Sequence, residues 1–297
     1  MASSDPILGI DIGGTKIAAG LVSGRRVTHV VELPTEAGKG KKTVLKNIEA
    51  AIRAVNPGRA KAIGIGIAGL VDSDRGIIVQ SPNFSQDFKN VGLKKHIRQK
   101  FGKSAAVNND ANCFTLAEAV YGSGKNKDVV IGLTLGTGIG GGIVLKQQLL
   151  VGRDGGAGEL GHTTIFQNGV KCSCGRRGHV EAYASGTAIA KTYAQLTGTL
   201  TDTWEIERLA RLGDQDAKAA FQIAQTALAE TFFNITQVFN PDIIVLGGGL
   251  ASVKKLLVTP AIAKAKQLFY PAARPPQIVA GTLDRAGIIG AARLTNQ

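Results

Sequence analysis

At 297 residues, with 44% hydrophobic and 19% charged side chains, the chain is globular in make-up and too long for one ordinary core, so two lobes with a cleft are expected. The formal charge of +13 comes from lysines and arginines in scattered groups, as at 39–46 and 94–103. They lack interleaved aromatics, so no specific nucleic-acid partner is expected. No apolar run approaches the ~20 residues of a membrane helix and the N-terminus lacks a secretory signal pattern, which together point to a cytoplasmic protein without a membrane partner.

In chain order, residues 7–12 form a short apolar run that breaks at Gly13-Gly14-Thr15-Lys16 and resumes at 17–22, the pattern of a β-hairpin with a glycine turn. A helix over 44–55, a strand at 62–67, a helix over 93–101 and a strand at 105–108 follow. The hairpin pattern then returns: 129–135, a turn containing Gly136, Thr137 and Gly138, and 143–145. Aligning residues 9–13 with 132–136 reads as an internal duplication, with one such hairpin opening each half. Helices are expected over 185–196, 204–212 and 216–239, the last ended by Pro241. A strand at 242–246 runs into Gly247-Gly248-Gly249 and a further helix, and 287–294 reads as a terminal helix. Strands alternating with helices define an α/β class.

Glycine turns between strands let backbone amides approach a phosphate, so the three glycine clusters are candidate phosphate loops. Gly136, Gly138 and Gly141 also fit a dinucleotide fingerprint, but another strand follows where a helix is required. Gly14-Thr15-Lys16 is no Walker loop, because there the lysine follows glycine directly.

At Asn108-Asn109-Asp110-Ala111-Asn112 a strand gives way to a helix, at the place where α/β sheets present ligand sites. An Asp helix cap, worth about 1 kcal/mol, explains Asp110 in isolation. Beside phosphate loops the better reading is a base that takes the proton of an attacking hydroxyl. Further on, His162, Cys172, Cys174 and His179 offer two imidazoles and two thiolates within eighteen positions. Four protein ligands with no open position suit a structural Zn2+.

Together these motifs resemble the ROK family of sugar kinases and related repressors. The resemblance rests on residues 11–16, 66–72, 109–112, 135–142 and 159–162 and on the cysteine motif at 172–181, in that order along nearly the whole chain. It implies two actin-like ATPase (ribonuclease-H-like) domains: a first lobe of residues 1–121 to which a C-terminal helix, 287–297, returns, and a second lobe of residues 122–286. It also implies a homodimer. As activity it implies an ATP-dependent hexose kinase, glucose to glucose 6-phosphate first among substrates, with N-acetylglucosamine, N-acetylmannosamine and fructose as alternatives.

Carried over residue by residue, Asp110 is the base, and Asn83, Asn109, Glu159, His162 and Glu181 hold sugar hydroxyls. Asp11 lies near Mg2+ and the phosphates, Gly13, Gly14, Thr15, Lys16, Gly136, Thr137 and Gly138 line the phosphates, and Gly247, Gly248 and Gly249 face the adenosine. One departure stands out: His179 occupies the place of the family's usual third zinc-binding cysteine. Six residues before Ile7 leave no room for the repressors' DNA-binding domain, so an enzyme is expected over a sugar-responsive regulator or a non-catalytic sugar-binding protein.

Overall fold

The computed structural model describes residues 5–270 and 274–297. Strands β1 (Ile7–Ile12), β2 (Lys16–Ser23) and β3 (Arg26–Pro34) form a meander. Helix α1 (Lys41–Val55), strand β4 (Ala62–Ile67), a small sheet of β5 (Leu70–Asp72), β6 (Ile77–Gln80) and β7 (Val91–Gly92), helix α2 (Leu93–Phe101), strand β8 (Ser104–Asn109) and helix α3 (Asp110–Tyr121) follow. The second half runs β9 (Val129–Leu135), β10 (Ile139–Leu145), β11 (Gln148–Leu149), α4 (Glu181–Ala184), α5 (Gly186–Thr197), α6 (Thr203–Leu212), α7 (Gln215–Phe239), β12 (Ile243–Gly247), α8 (Thr259–Leu268), β13 (Gln277–Ala280) and α9 (Ala286–Arg293).

Two five-stranded sheets share one plan. Their orders are β3-β2-β1-β4-β8 and β11-β10-β9-β12-β13. In the first, β1 is antiparallel to β2 and parallel to β4, which is parallel to β8. In the second, β9 is parallel to β12 and β12 to β13. The duplication legible in the two glycine turns therefore extends through whole sheets. β3 is absent from the sequence reading because His29 takes a left-handed conformation (φ 52) and the β2–β3 register slips between Ala19 and Leu21, which breaks the alternation that marks a strand.

All six residues of β4 are buried, as its unbroken apolar run requires of a central parallel strand. Helix α1 buries Val44, Ile48, Ala51, Ile52 and Val55, one stripe at helical spacing. Helix α7 buries a small-residue stripe punctuated by Phe221, Leu228 and Phe232, and Asn240, left-handed at φ 41, caps it ahead of Pro241.

The chain divides into two compact units: residues 1–126, 142–158 and 282–297, and residues 127–141 and 159–281. The first break falls five residues after the expected 121, and the segment 142–158 lies in the first unit rather than the second. The C-terminal segment of the first unit carries α9, which packs flush on β1 and β4. A Cβ on Gly9 would lie 2.2 Å from the Ile288 carbonyl oxygen, and one on Gly64 1.8 Å from that of Ala291. In the same unit the fully buried Glu118 of α3 accepts hydrogen bonds from the amides of Ser123 (2.8 Å), Thr282 (2.9 Å) and Leu283 (2.8 Å).

Candidate active site

In the first unit, the carboxyl-terminal ends of β1, β4 and β8 lie side by side, with Asp11 beside Gly66 and Gly66 beside Asn108. A parallel sheet presents its ligand sites at such ends. The β1–β2 turn is closed by the Gly13 amide donating to the Lys16 carbonyl (3.0 Å), and Thr35 fastens it from outside through Oγ1 to the Gly13 carbonyl (2.7 Å). Asn83 adjoins this turn: a Cβ on Gly14 would lie 3.2 Å from that of Asn83. Lys16 is exposed and pairs with Glu32 at 3.3 Å.

Helix α3 begins where β8 ends, and its cap is Asn109. Asn109 Oδ1 accepts from the amides of Ala111 (2.8 Å) and Asn112 (3.3 Å), while Nδ2 donates to the Gly69 carbonyl (2.9 Å). The sequence reading weighed capping for Asp110; the structure assigns it to the preceding residue, which leaves Asp110 as the first residue of α3. Asn109 spends its oxygen and one amide hydrogen on this fold contact. Burial, and after it the neighbouring Asp110 charge, push the Asp11 carboxyl up to about 7 against a weaker opposing pull from Lys16. Asp11 and Asp110 are thus electrostatic partners. The first turn of α9 lies close against Asp11, since a Cβ on Gly287 would lie 2.2 Å from Asp11 Oδ2.

In the second unit, the turn holding Gly136, Thr137 and Gly138 is closed by the Gly136 amide donating to the Gly138 carbonyl (3.0 Å). The start of α5 anchors it: the Gly186 amide donates to the Gly136 carbonyl (2.8 Å) and Thr187 Oγ1 to the Thr137 carbonyl (2.9 Å). Beside it, β12 delivers Gly247 next to Thr134, and Gly248 turns away at φ 79 against the Leu135 carbonyl. The sequence reading did not single out Thr35 or Thr187. Their signal, a threonine just before or just inside a helix, is too common to stand out.

His162, Cys172, Cys174 and His179 come together as expected, with all four ligand atoms within 4.8 Å of one another. Cys172 Sγ is 3.7 Å from His162 Nδ1, and Cys174 Sγ is 3.3 Å from His179 Nδ1. Tetrahedral zinc with bonds of about 2.0–2.3 Å requires ligand separations of roughly 3.3–3.8 Å; both of these pairs lie in that range, and two imidazoles with two thiols are a donor set that could hold the ion. His179 is buried, at 3% exposure, and burial pushes its imidazole toward the neutral, metal-binding form.

The cluster reaches both candidate sugar carboxylates of this unit. His162 Nε2 is 3.9 Å from Glu159 Oε2. Burial raises the Glu159 carboxyl above its usual range, opposed by His162 and reinforced by Glu181. Glu181 Oε1 accepts from Ser173 Oγ (3.0 Å), and Oε2 accepts from the Ile139 amide (3.1 Å), just past the glycine turn.

A carboxylate pair at strand ends, glycine turns on two sheets of one plan and a His/Cys cluster are the features of this chain, and the family pattern of ROK proteins matches it over residues 7–297. The chain belongs to the ROK family. A glucokinase of Thermotoga maritima is 37% identical to it, over 98% of this chain and 97% of its own length. An N-acetyl-D-glucosamine kinase of Aliivibrio salmonicida is 32% identical over 96% of this chain and 98% of its own. A ROK family glucokinase from Streptomyces griseus, solved in complex with glucose and AMPPNP, matches with a TM-score of 0.84 at 33% identity, over 97% of this chain and 98% of that one. The fold of this ROK protein is the two-domain actin-like ATPase fold. No helix among the described residues is long and apolar enough to cross a membrane.

Proposed function

We propose that this ROK protein is an ATP-dependent hexose kinase that phosphorylates glucose, with Asp110 as general base. The observation that carries the reading is the Asp11–Asp110 pair at the ends of β1 and β8, next to a glycine turn. In phosphoryl transfer the protein mainly positions groups and stabilises charge. Asp110 takes the proton of the sugar hydroxyl as that oxygen bonds to the γ-phosphorus, the bond to the bridging oxygen breaks, and ADP leaves. Mg2+, when bound, offsets phosphate charge near Asp11. A cation there also favours the ionised form of Asp11, which burial and Asp110 hold back in the nucleotide-free protein.

In the first unit, Gly13, Gly14, Thr15 and Lys16 offer amides and an ammonium to phosphate, and Asn83 and Asn109 offer amide groups to sugar hydroxyls. In the second, Gly136, Thr137 and Gly138 are the phosphate turn, Gly247, Gly248 and Gly249 the adenosine side, and Glu159, His162 and Glu181 the hydroxyl readers. A site built from hydrogen-bonding side chains rejects analogues that lack the hydroxyls. Zn2+ on His162, Cys172, Cys174 and His179 would order the loops bearing Glu159 and Glu181 and take no part in the chemistry.

The lobes proposed from sequence, a cytoplasmic location and a homodimeric state belong to the same reading. Glucose ranks first on the 37% identity to a glucokinase, with N-acetylglucosamine next on the 32% identity to its kinase, ahead of N-acetylmannosamine and fructose. Release of ADP from Mg2+ and ATP is the test, run across these four sugars. Turnover should appear only with a hexose present and be fastest with glucose; no sugar-stimulated turnover with any of the four ends the kinase reading.

A further inference from the structure

One aromatic side chain beside the Gly247–Gly249 turn has no part in the chemistry above. Trp204, the single tryptophan of the chain, sits in the first turn of α6 with 51% of its surface exposed. Its benzo edge meets the turn, since a Cβ on Gly249 would lie 3.0 Å from Cζ2 and 3.3 Å from Cη2. Any residue but glycine there would push the indole away.

The backbone holds the indole in that place. Asp202 Oδ1 caps α6 by accepting from the Trp204 and Glu205 amides, both at 2.9 Å. Thr203 Oγ1 donates to the Gly186 carbonyl (2.8 Å), and the Gly186 amide donates to the Gly136 carbonyl (2.8 Å). Trp204 is thereby tied to both glycine turns of the second unit. A large apolar ring held half in water beside a glycine turn loses the burial that such rings usually gain, and a flat partner restores it.

We propose that Trp204 is the stacking platform for the purine base of the nucleotide, making it a specificity-determining residue for the phosphoryl donor. The proposal rests on the kinase reading and on the Gly247–Gly249 turn as the adenosine side. An uncharged π-face attracts a base and is indifferent to a phosphate chain, so the platform favours a nucleoside triphosphate over an inorganic polyphosphate.

Because the chain has one indole, tryptophan fluorescence reports on this site alone. ADP and adenosine should shift or quench the emission of the whole protein, and inorganic tripolyphosphate should not. Trp204→Leu should raise KM for ATP roughly 5- to 100-fold, the range spanned by one base on one aromatic ring, and leave KM for the hexose within about twofold. Trp204→Phe, which keeps a ring, should recover most of that loss. If the Leu variant does not fold, by circular dichroism, the contrast between ADP and tripolyphosphate in the wild type decides alone. Unchanged emission at saturating ADP in a protein that turns over ATP overturns the platform and spares the kinase reading. Absence of ATP turnover ends the kinase reading, and ADP quenching in that protein would still uphold the platform.

Discussion

Asp110 and Asp11 illustrate how two carboxylates of the same type are set apart by their surroundings. Asp110 opens α3 with Oδ1 accepting from the Ala111 amide at 2.9 Å. Asp110→Asn keeps the shape and removes the basicity, so turnover should fall roughly 10²–10⁴-fold with hexose affinity largely kept. Near-normal turnover of this variant would reduce Asp110 to the first residue of a helix that Asn109 already caps. Asp11 makes a pH prediction. Its carboxyl is raised from an ordinary 3.8 to about 7 by burial and then by Asp110, so the folded protein holds this proton more tightly than the unfolded chain. The favourable contribution is complete below pH ~4 and is lost as pH rises through ~7. The full displacement corresponds to at most ~4 kcal/mol, and the solvent contact Asp11 retains reduces the expectation to about 2. Nucleotide-free Asp11→Asn should therefore match the wild type near pH 4 and exceed its stability at pH 8. Urea unfolding at the two pH values measures this, and a difference that does not change with pH refutes it.

At the scale of elements, the fit of α9 onto the first sheet depends on a buried, hydrogen-bonded carboxyl group as well as on close packing. Glu118 has three backbone amides on its two oxygens, two of them from Thr282 and Leu283 just before α9. Glu118→Ala strands all three donors and opens a cavity, which should cost about 3–5 kcal/mol. Glu118→Gln keeps the volume and one acceptor and should cost less. Amide hydrogen exchange offers the more specific readout: Thr282 and Leu283 should lose protection well before the amides of β1. Equal loss at both places would mean that Glu118 acts on the whole unit and not on this junction.

At the scale of the whole molecule, zinc on the His162, Cys172, Cys174 and His179 cluster would link the loops that carry the proposed hydroxyl readers. The segment from Gly152 to Gly178 is rich in glycine, and ordering it without metal costs about 1–2 kcal/mol of backbone entropy per residue. One zinc per chain is expected by elemental analysis, and His179→Ala should lower that content. Chelation should weaken hexose binding most, through Glu159 and His162. ATP binding should weaken less, because the cluster reaches the strand beyond the phosphate turn indirectly, through Glu181 on the Ile139 amide and Gly161 against the Ile139 carbonyl. Metal-free protein that binds hexose with unaltered affinity would refute the clamp.

The chain's local patterns were enough to place the two glycine hairpins, the strand-to-helix step at Asn109 and Asp110, the His/Cys quartet and the long α7. Each is encoded by neighbours within a few turns of backbone, through period, turn chemistry and capping. They also carried the ROK resemblance. Local pattern did not reveal β3, whose alternation a bulge at His29 interrupts, nor that Asn109 caps α3 with its own oxygen. The pairing of Asp11 with Asp110 was decided by tertiary structure alone, because it depends on β4 lying between β1 and β8. The same holds for Glu118 at the Thr282 junction and Trp204 at the Gly249 turn. Such partnerships join residues far apart in the chain, and sheet order and helix packing create them, so no short stretch of sequence contains them.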